Sequence, residues 1–125
     1  MNMSKRVLIA DDEPNIVISL EFLMKREGYA VSVARDGDAA LELIRRERPD
    51  LVLLDVMMPG KSGFEVCQAV RADDALHSVK ILMLSAKGRE TDLAKGHALG
   101  ADAYMTKPFS TRELAAKVRE MLGGG

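Results

Sequence analysis

The chain has 125 residues, enough for one domain with its own core. A composition of 47% hydrophobic and 30% charged residues excludes a disordered chain. Lys+Arg 18 against Asp+Glu 19 leave a net charge of -1, so no overall field draws the domain to nucleic acid or to a membrane surface.

The N-terminal MNMSKR contains no apolar signal region and leads into a strand near Arg6–Ala10, VLIA, which runs into Asp11, Asp12 and Glu13. Pro14 suits the first turn of a helix, expected over Pro14–Glu27 with Ile16, Leu20 and Leu23 on one face and Gly28 as C-cap. A strand follows near Ala30–Ala34, then an Ala- and Leu-rich helix over Asp38–Arg48 stopped by Pro49. The next strand, Leu51–Asp55, reads LVLLD without polar alternation, as a central strand covered on both faces does. The helix Gly63–Ala72 spaces Phe64, Cys67 and Val70 on one face, which makes Cys67 an inert core thiol with no internal disulfide partner. A strand is expected near Lys80–Ser85, a weaker helix over Thr91–Leu99 interrupted by Gly96, and a strand near Ala103–Met105. The last helix, Ser110–Leu122, opens with a capping-box pattern of Ser110 and Glu113. The terminal GGG, 123–125, reads as a flexible tail or linker stub after a domain spanning 1–122. No run approaches the roughly 18–20 apolar residues of a membrane span, and a cytoplasmic location is expected.

Strands alternating with helices imply parallel pairing through right-handed crossovers, hence a doubly wound α/β domain. In such sheets ligands bind outside the carboxyl ends of the strands, at the switch in strand order. Those ends carry Asp11 and Asp12, Asp55, Ser85 and Lys107. Carboxylates gathered at one edge repel: two unit charges about 4 Å apart interact by roughly 4 kcal/mol at an effective dielectric near 20. A domain of about 5–15 kcal/mol total stability needs compensation for that. Lys107 supplies one positive charge, and an all-oxygen site with few protein ligands suits Mg²⁺.

The motifs VLIADDEP, LLDVMMPGKSG, MLSA and YMTKPF, in this order over nearly the whole chain, resemble the receiver domain of bacterial two-component response regulators. Each motif alone is weak and the four together are strong. The resemblance implies a flavodoxin-like, five-stranded parallel sheet of order 2-1-3-4-5 with five helices, the order of the chemotaxis member that serves as a standard example of this topology. It implies Asp55 as phosphoacceptor from a histidine kinase or phosphotransfer protein. By the same resemblance Mg²⁺ is held by Asp12 directly, by Asp11 largely through water, by Asp55 and by the backbone carbonyl of Met57. Lys107 would pair with a phosphoryl oxygen, Ser85 would hydrogen-bond the phosphoryl group, and Tyr104 would rotate inward behind it. The Lys107–Pro108 bond is typically cis in such domains. Lys87 and the Met57 side chain border the pocket at positions that tune phosphoryl lifetime.

The resemblance also implies a domain that is no enzyme beyond its own phosphorylation and dephosphorylation, working through a downstream output domain or partner protein. It binds no nucleic acid itself. Where related transcription factors dimerise through the fourth helix, fifth strand and fifth helix, this chain keeps Glu113, Lys117 and Arg119 but has Ala103 for an acid and Leu93 for a basic residue. That dimer is therefore not expected, leaving a monomer or another phosphorylation-dependent dimer.

Plainer readings stand beside these. Asp11 and Asp12 could be N-cap acids, Asp55 a turn residue, Lys107 a solvated lysine, Ser85 a strand-ending hydroxyl and Tyr104 a core-edge aromatic. Met57 and Met58 read as space-fillers, Glu13 and Asp50 as cap or turn residues, and His77 and His97 as surface residues. Competing functions are a small Mg²⁺-dependent aspartyl phosphatase, a flavodoxin-like nucleotide or flavin carrier, and a degenerate receiver acting as a constitutive interaction module. The phosphatase would want an acid where Met57 stands, and the carrier a Gly/Ser/Thr-rich loop where the acids follow the first strand.

Overall fold

The computed structural model describes residues 4–86 and 90–123, so Lys87 and the last two glycines of the tail lie outside the described residues. Five strands, β1 (Arg6–Ala10), β2 (Ala30–Ala34), β3 (Leu51–Asp55), β4 (Lys80–Ala86) and β5 (Ala103–Lys107), form one sheet in the order β2-β1-β3-β4-β5. Every pairing is parallel. The helices are α1 (Pro14–Arg26), α2 (Gly37–Glu47), α3 (Gly63–Arg71), α4 (Glu90–Ala98) and α5 (Thr111–Met121).

The period-2 alternation of the strands separates two cores. Val7 and Ile9, Leu51 and Leu53, Leu82 and Leu84 meet Leu20, Leu23 and Met24 of α1 and Leu114 and Val118 of α5. On the other face Leu8 and Ala10, Val52 and Leu54, Ile81 and Met83 meet Leu41 and Ile44 of α2 and Val66, Cys67 and Val70 of α3. All five residues of β3 are buried, as a strand covered on both sides must be.

Most expected elements stand where the pattern puts them, with shifts that have local causes. α1 buries Val17, Leu20, Leu23 and Met24, and Ile16 packs half-buried against the same core, so the expected Ile16-Leu20-Leu23 face meets the sheet and Val17 and Met24 widen it. α2 starts at Gly37, one residue before Asp38, because the Asp36 carboxylate accepts from the Ala39 N–H at 2.8 Å. It ends where Arg48 turns left-handed at φ 49, ahead of Pro49. Gly28 is left-handed at φ 95 after α1, and Ser110 and Glu113 form the expected capping box. A second capping box, Ser62 with Glu65, opens α3, and a short 3₁₀ turn covers Asp74–Leu76. β4 runs one residue further than expected and β5 two, because pairing continues through Ser85 with Thr106 and Ala86 with Lys107. Polar Thr106 and Lys107 hide this extension in the sequence. Cys67 is fully buried, and burial pushes its thiol up from the ordinary range. Among the described residues no helix is long and apolar enough to cross a membrane.

Candidate metal and phosphoacceptor site

The chain leaves β1 towards β2 on one side and reaches β3 on the other, so the order reverses between β1 and β3. Asp11 and Asp55 end these two neighbouring strands. Alternation then sets their direction. Asp11 follows Val7 and Ile9, Asp55 follows Leu51 and Leu53, and Lys107 follows Ala103 and Met105, all on the α1–α5 face. One face of one sheet edge therefore receives all three.

The Lys107 ammonium donates to Asp11 Oδ2 at 3.0 Å, to Glu13 Oε1 at 3.2 Å and to Asp55 Oδ1 at 3.3 Å. Asp12 completes an acidic group: carboxylate oxygens of Asp11, Asp12 and Asp55 lie within 4.8 Å of one another. Asp11 is 0% and Asp55 5% exposed, so neither can shed its charge into water. Burial and then the Asp11 charge push the Asp55 carboxyl up to about 6, against the opposing pull of Lys107 and of the Met57 N–H. Burial pulls the Lys107 ammonium down, but its hydrogen bond to Asp11 and the charges of Asp55 and Asp11 outweigh this and raise it. One ammonium cannot neutralise four carboxylates. The group lacks positive charge, and its donors are all oxygen, the chemistry a hard divalent cation meets.

Backbone contacts hold the site in shape. The Asp11 carboxylate accepts from the Glu13 N–H at 2.9 Å, pinning the turn into α1. Gly63 opens α3 with its N–H on the Val56 carbonyl at 2.9 Å, and a Cβ there would overlap the Asp55 carbonyl. The loop between β3 and α3 rests on α2, where Gly37 donates to the Pro59 carbonyl at 3.1 Å and a Cβ on Gly37 would overlap the Lys61 carbonyl.

Asp11, Asp12, Asp55 and Lys107 are thus together, and Met57 is joined to them through its N–H, its side chain being 60% exposed. Met58 packs against the core. Ser85 and Tyr104 are on the other face: Ser85 follows Met83, and Met83 pairs with Tyr104 across β4 and β5. Ser85 is buried, its hydroxyl 3.5 Å from the Ala86 carbonyl oxygen. Glu13 is the residue that sequence reasoning undervalued. It occupies the N-cap position of α1, but its side chain makes no cap bond and reaches Lys107 instead. The signal was the third consecutive acid, one more than a helix start uses. Asp50 is a turn residue as expected, accepting from the Arg6 N–H at 2.7 Å, and His77 and His97 are exposed. The Lys107–Pro108 bond is cis.

A five-stranded 2-1-3-4-5 sheet with a buried acidic group and a lysine at the β1–β3 edge defines a chemotaxis-type, flavodoxin-like domain. Residues 7–119 match the response regulator receiver domain, and the chain belongs to that family. Solved structures agree. A protein from Chloroflexus aurantiacus described as a response regulator is 34% identical, with 96% of this chain and 98% of that one covered at a TM-score of 0.92. The chemotaxis response regulator CheY4 of Vibrio cholerae is 31% identical, with 95% and 99% covered and a TM-score of 0.89. The receiver domain of a sensor histidine kinase from Pseudomonas aeruginosa PAO1, with a magnesium ion coordinated in its active site cleft, is 26% identical, with 97% and 99% covered and a TM-score of 0.88.

Proposed function

We propose that this receiver domain is a phosphorylation-dependent switch in which Asp55 accepts a phosphoryl group from a histidine kinase, a phosphotransfer protein or a small phosphodonor. The observation that carries the reading is one buried carboxylate, Asp55, held between the Lys107 ammonium and two further acids at the strand-order reversal.

The acids fit Mg²⁺, and the residues that would hold it are Asp11, Asp12, Asp55 and the Met57 backbone carbonyl. When bound, the ion supplies the positive charge the carboxylates lack and neutralises the transferring phosphoryl oxygens. The chain's own residues do the rest. A free Asp55 oxygen attacks phosphorus in line, the bond from phosphorus to the donor nitrogen breaks, and the donor imidazole leaves with its electron pair. Lys107, already 3.3 Å from Asp55, moves its ammonium onto a phosphoryl oxygen. Water later cleaves the aspartyl phosphate, returning the carboxylate and inorganic phosphate. Ser85 closes on the phosphoryl group and Tyr104 reports it on the opposite face, changing the surface offered to an output domain or partner protein. Met57 at the second position after Asp55 supplies no general acid, which favours a switch over a phosphatase with turnover. The kinase-fed relay places the domain in the cytoplasm.

The deciding experiment is native mass spectrometry after incubation with acetyl phosphate and Mg²⁺, beside Asp55→Asn. A single phosphoryl adduct that the variant lacks is expected, and the same spectra report any change from monomer to dimer. No adduct, together with no binding of beryllofluoride, would make the chain a constitutive interaction module.

A further inference from the structure

Helix α4 has a glycine in its interior. Gly96 lies within Glu90–Ala98 and is buried. Glycine in a helix interior costs about 0.5–1 kcal/mol relative to alanine. The space around it shows what that absence of a side chain makes possible. A Cβ on Gly96 would stand 3.2 Å from Cε2 and 3.3 Å from Cδ2 of Tyr104, and 3.8 Å from Cε of Met83. The first two separations are tighter than carbon atoms ordinarily take, whose favourable spacing is about 3.5–4.0 Å. The ring would have to give by a few tenths of an ångström.

Tyr104 is seated inward. Its hydroxyl oxygen is buried, and its ring packs with the core that contains Met83. Beside it, a groove of about 350 Å³ opens between Leu93 of α4 and Glu113 of α5, with Tyr104, Thr106 and Phe109 along it.

We infer that Gly96 is a positioning residue for Tyr104: the missing side chain is the notch into which the inward ring fits before any phosphoryl group is present. The inference rests on reading Tyr104 as the switch residue. It adds that the inward state of this chain does not wait for phosphorylation, so that modification at Asp55 tightens a ring already in place.

The chain has Tyr 2, Tyr29 and Tyr104, so 3-fluorotyrosine labelling gives two ¹⁹F resonances, which Tyr104→Phe assigns. The comparison is between the unsubstituted protein and Gly96→Ala, both without phosphodonor. We expect the Tyr104 resonance of Gly96→Ala to shift from its unsubstituted position, as the ring gives way to the added methyl group. The Tyr29 resonance should stay. A Tyr104 resonance unmoved in folded Gly96→Ala overturns the proposal, since a merely structural glycine would change stability and leave the ring alone. If Gly96→Ala fails to fold, Gly96→Ala with Tyr104→Leu should regain a cooperative melt, and its failure to do so also overturns the proposal. None of these readings uses phosphorylation, so a missing phosphoryl adduct would count against the switch function and not against the notch.

Discussion

Replacing Asp55 with asparagine should make the metal-free protein more stable at neutral pH, by an amount that itself depends on pH. The folded state raises the Asp55 carboxyl to about 6, with burial the larger cause and the Asp11 charge the second. The unfolded chain returns it to the ordinary carboxylate value near 4. A carboxyl whose folded value is raised contributes stability that is fully present below the unfolded value and is lost as pH rises through about 6. A shift of about two units is worth at most roughly 3 kcal/mol at about 1.36 kcal/mol per unit. Solvent at the rim of the site and the Lys107 ammonium reduce this, so we expect about 1–2 kcal/mol. Asparagine keeps the shape and an acceptor oxygen for Lys107 while removing the charge.

The assay is urea unfolding in EDTA for both proteins from pH 5 to pH 7.5. The two histidines and the acids remote from the site are shared, so they cancel in the difference, and what remains belongs to Asp55 with its coupled neighbours Asp11 and Lys107. The stability gained by Asp55→Asn should grow across this window, level off above pH 7, and correspond to about 4–8 °C in thermal midpoint at the plateau. Adding Mg²⁺ at pH 7.5 should shrink the gap, because the cation supplies the charge the substitution made unnecessary. A difference that stays flat with pH would refute the argument that Asp55 is held charged against its surroundings.

Three further outcomes are expected. Mg²⁺ at tenfold excess over its dissociation constant should stabilise the unsubstituted protein by about 1.4 kcal/mol, and Asp12→Ala much less, in thermal melts; equal shifts would break the metal assignment. Gly37→Ala should cost about 1–3 kcal/mol in urea unfolding, because its Cβ would overlap the Lys61 carbonyl, and should weaken Mg²⁺ binding in calorimetry by displacing the loop that carries Met57. Arg71→Ala should cost about 2 kcal/mol, read the same way, because Arg71 donates to the Gly100 carbonyl at 2.8 Å and to Asp102 at 2.6 Å, tying α3 to the start of β5. Phosphorylation of Arg71→Ala should be unchanged under conditions where it is folded.

The elements legible in the sequence were those whose pattern is local. LVLLD could only be a doubly covered strand, and Gly28, Pro49 and the Ser110–Glu113 pair each marked a helix end by its own chemistry. Charged residues at strand ends pointed to the edge where the structure brings Asp11, Asp55 and Lys107 together with Asp12, because strand alternation sends the first three to one face. What stayed hidden was set by tertiary contact. The burial of Val17 and Met24 beside the expected face of α1 depends on how the helix lies against the sheet, and the two extra residues of β5 depend on pairing with β4. The role of Glu13 depends on Lys107, far away in sequence but 3.2 Å away in the fold. Gly96 read only as an interruption of a weak helix, and its meaning is the ring of Tyr104.

The same alternation that gathers the site also divides the labour between the two faces of the sheet. Lys107 lies on the α1–α5 face with Asp55, while Tyr104, three residues earlier on β5, lies with Met83 on the face covered by α2, α3 and α4. Residues three apart on a strand point to opposite sides. Under the proposed function, a pull on the Lys107 ammonium would be transmitted along β5 to a ring on the far face, and a pull on Ser85 along β4 to Met83, which touches the same region of α4. Sub-ångström movement suffices if the ring has two packed positions, because close-packed cores are bistable rather than continuously deformable. On this account the signal needs no separate pathway through the core. The two edge-side strands β4 and β5 carry it, and the notch at Gly96 sets how much of the change remains for the phosphoryl group to make.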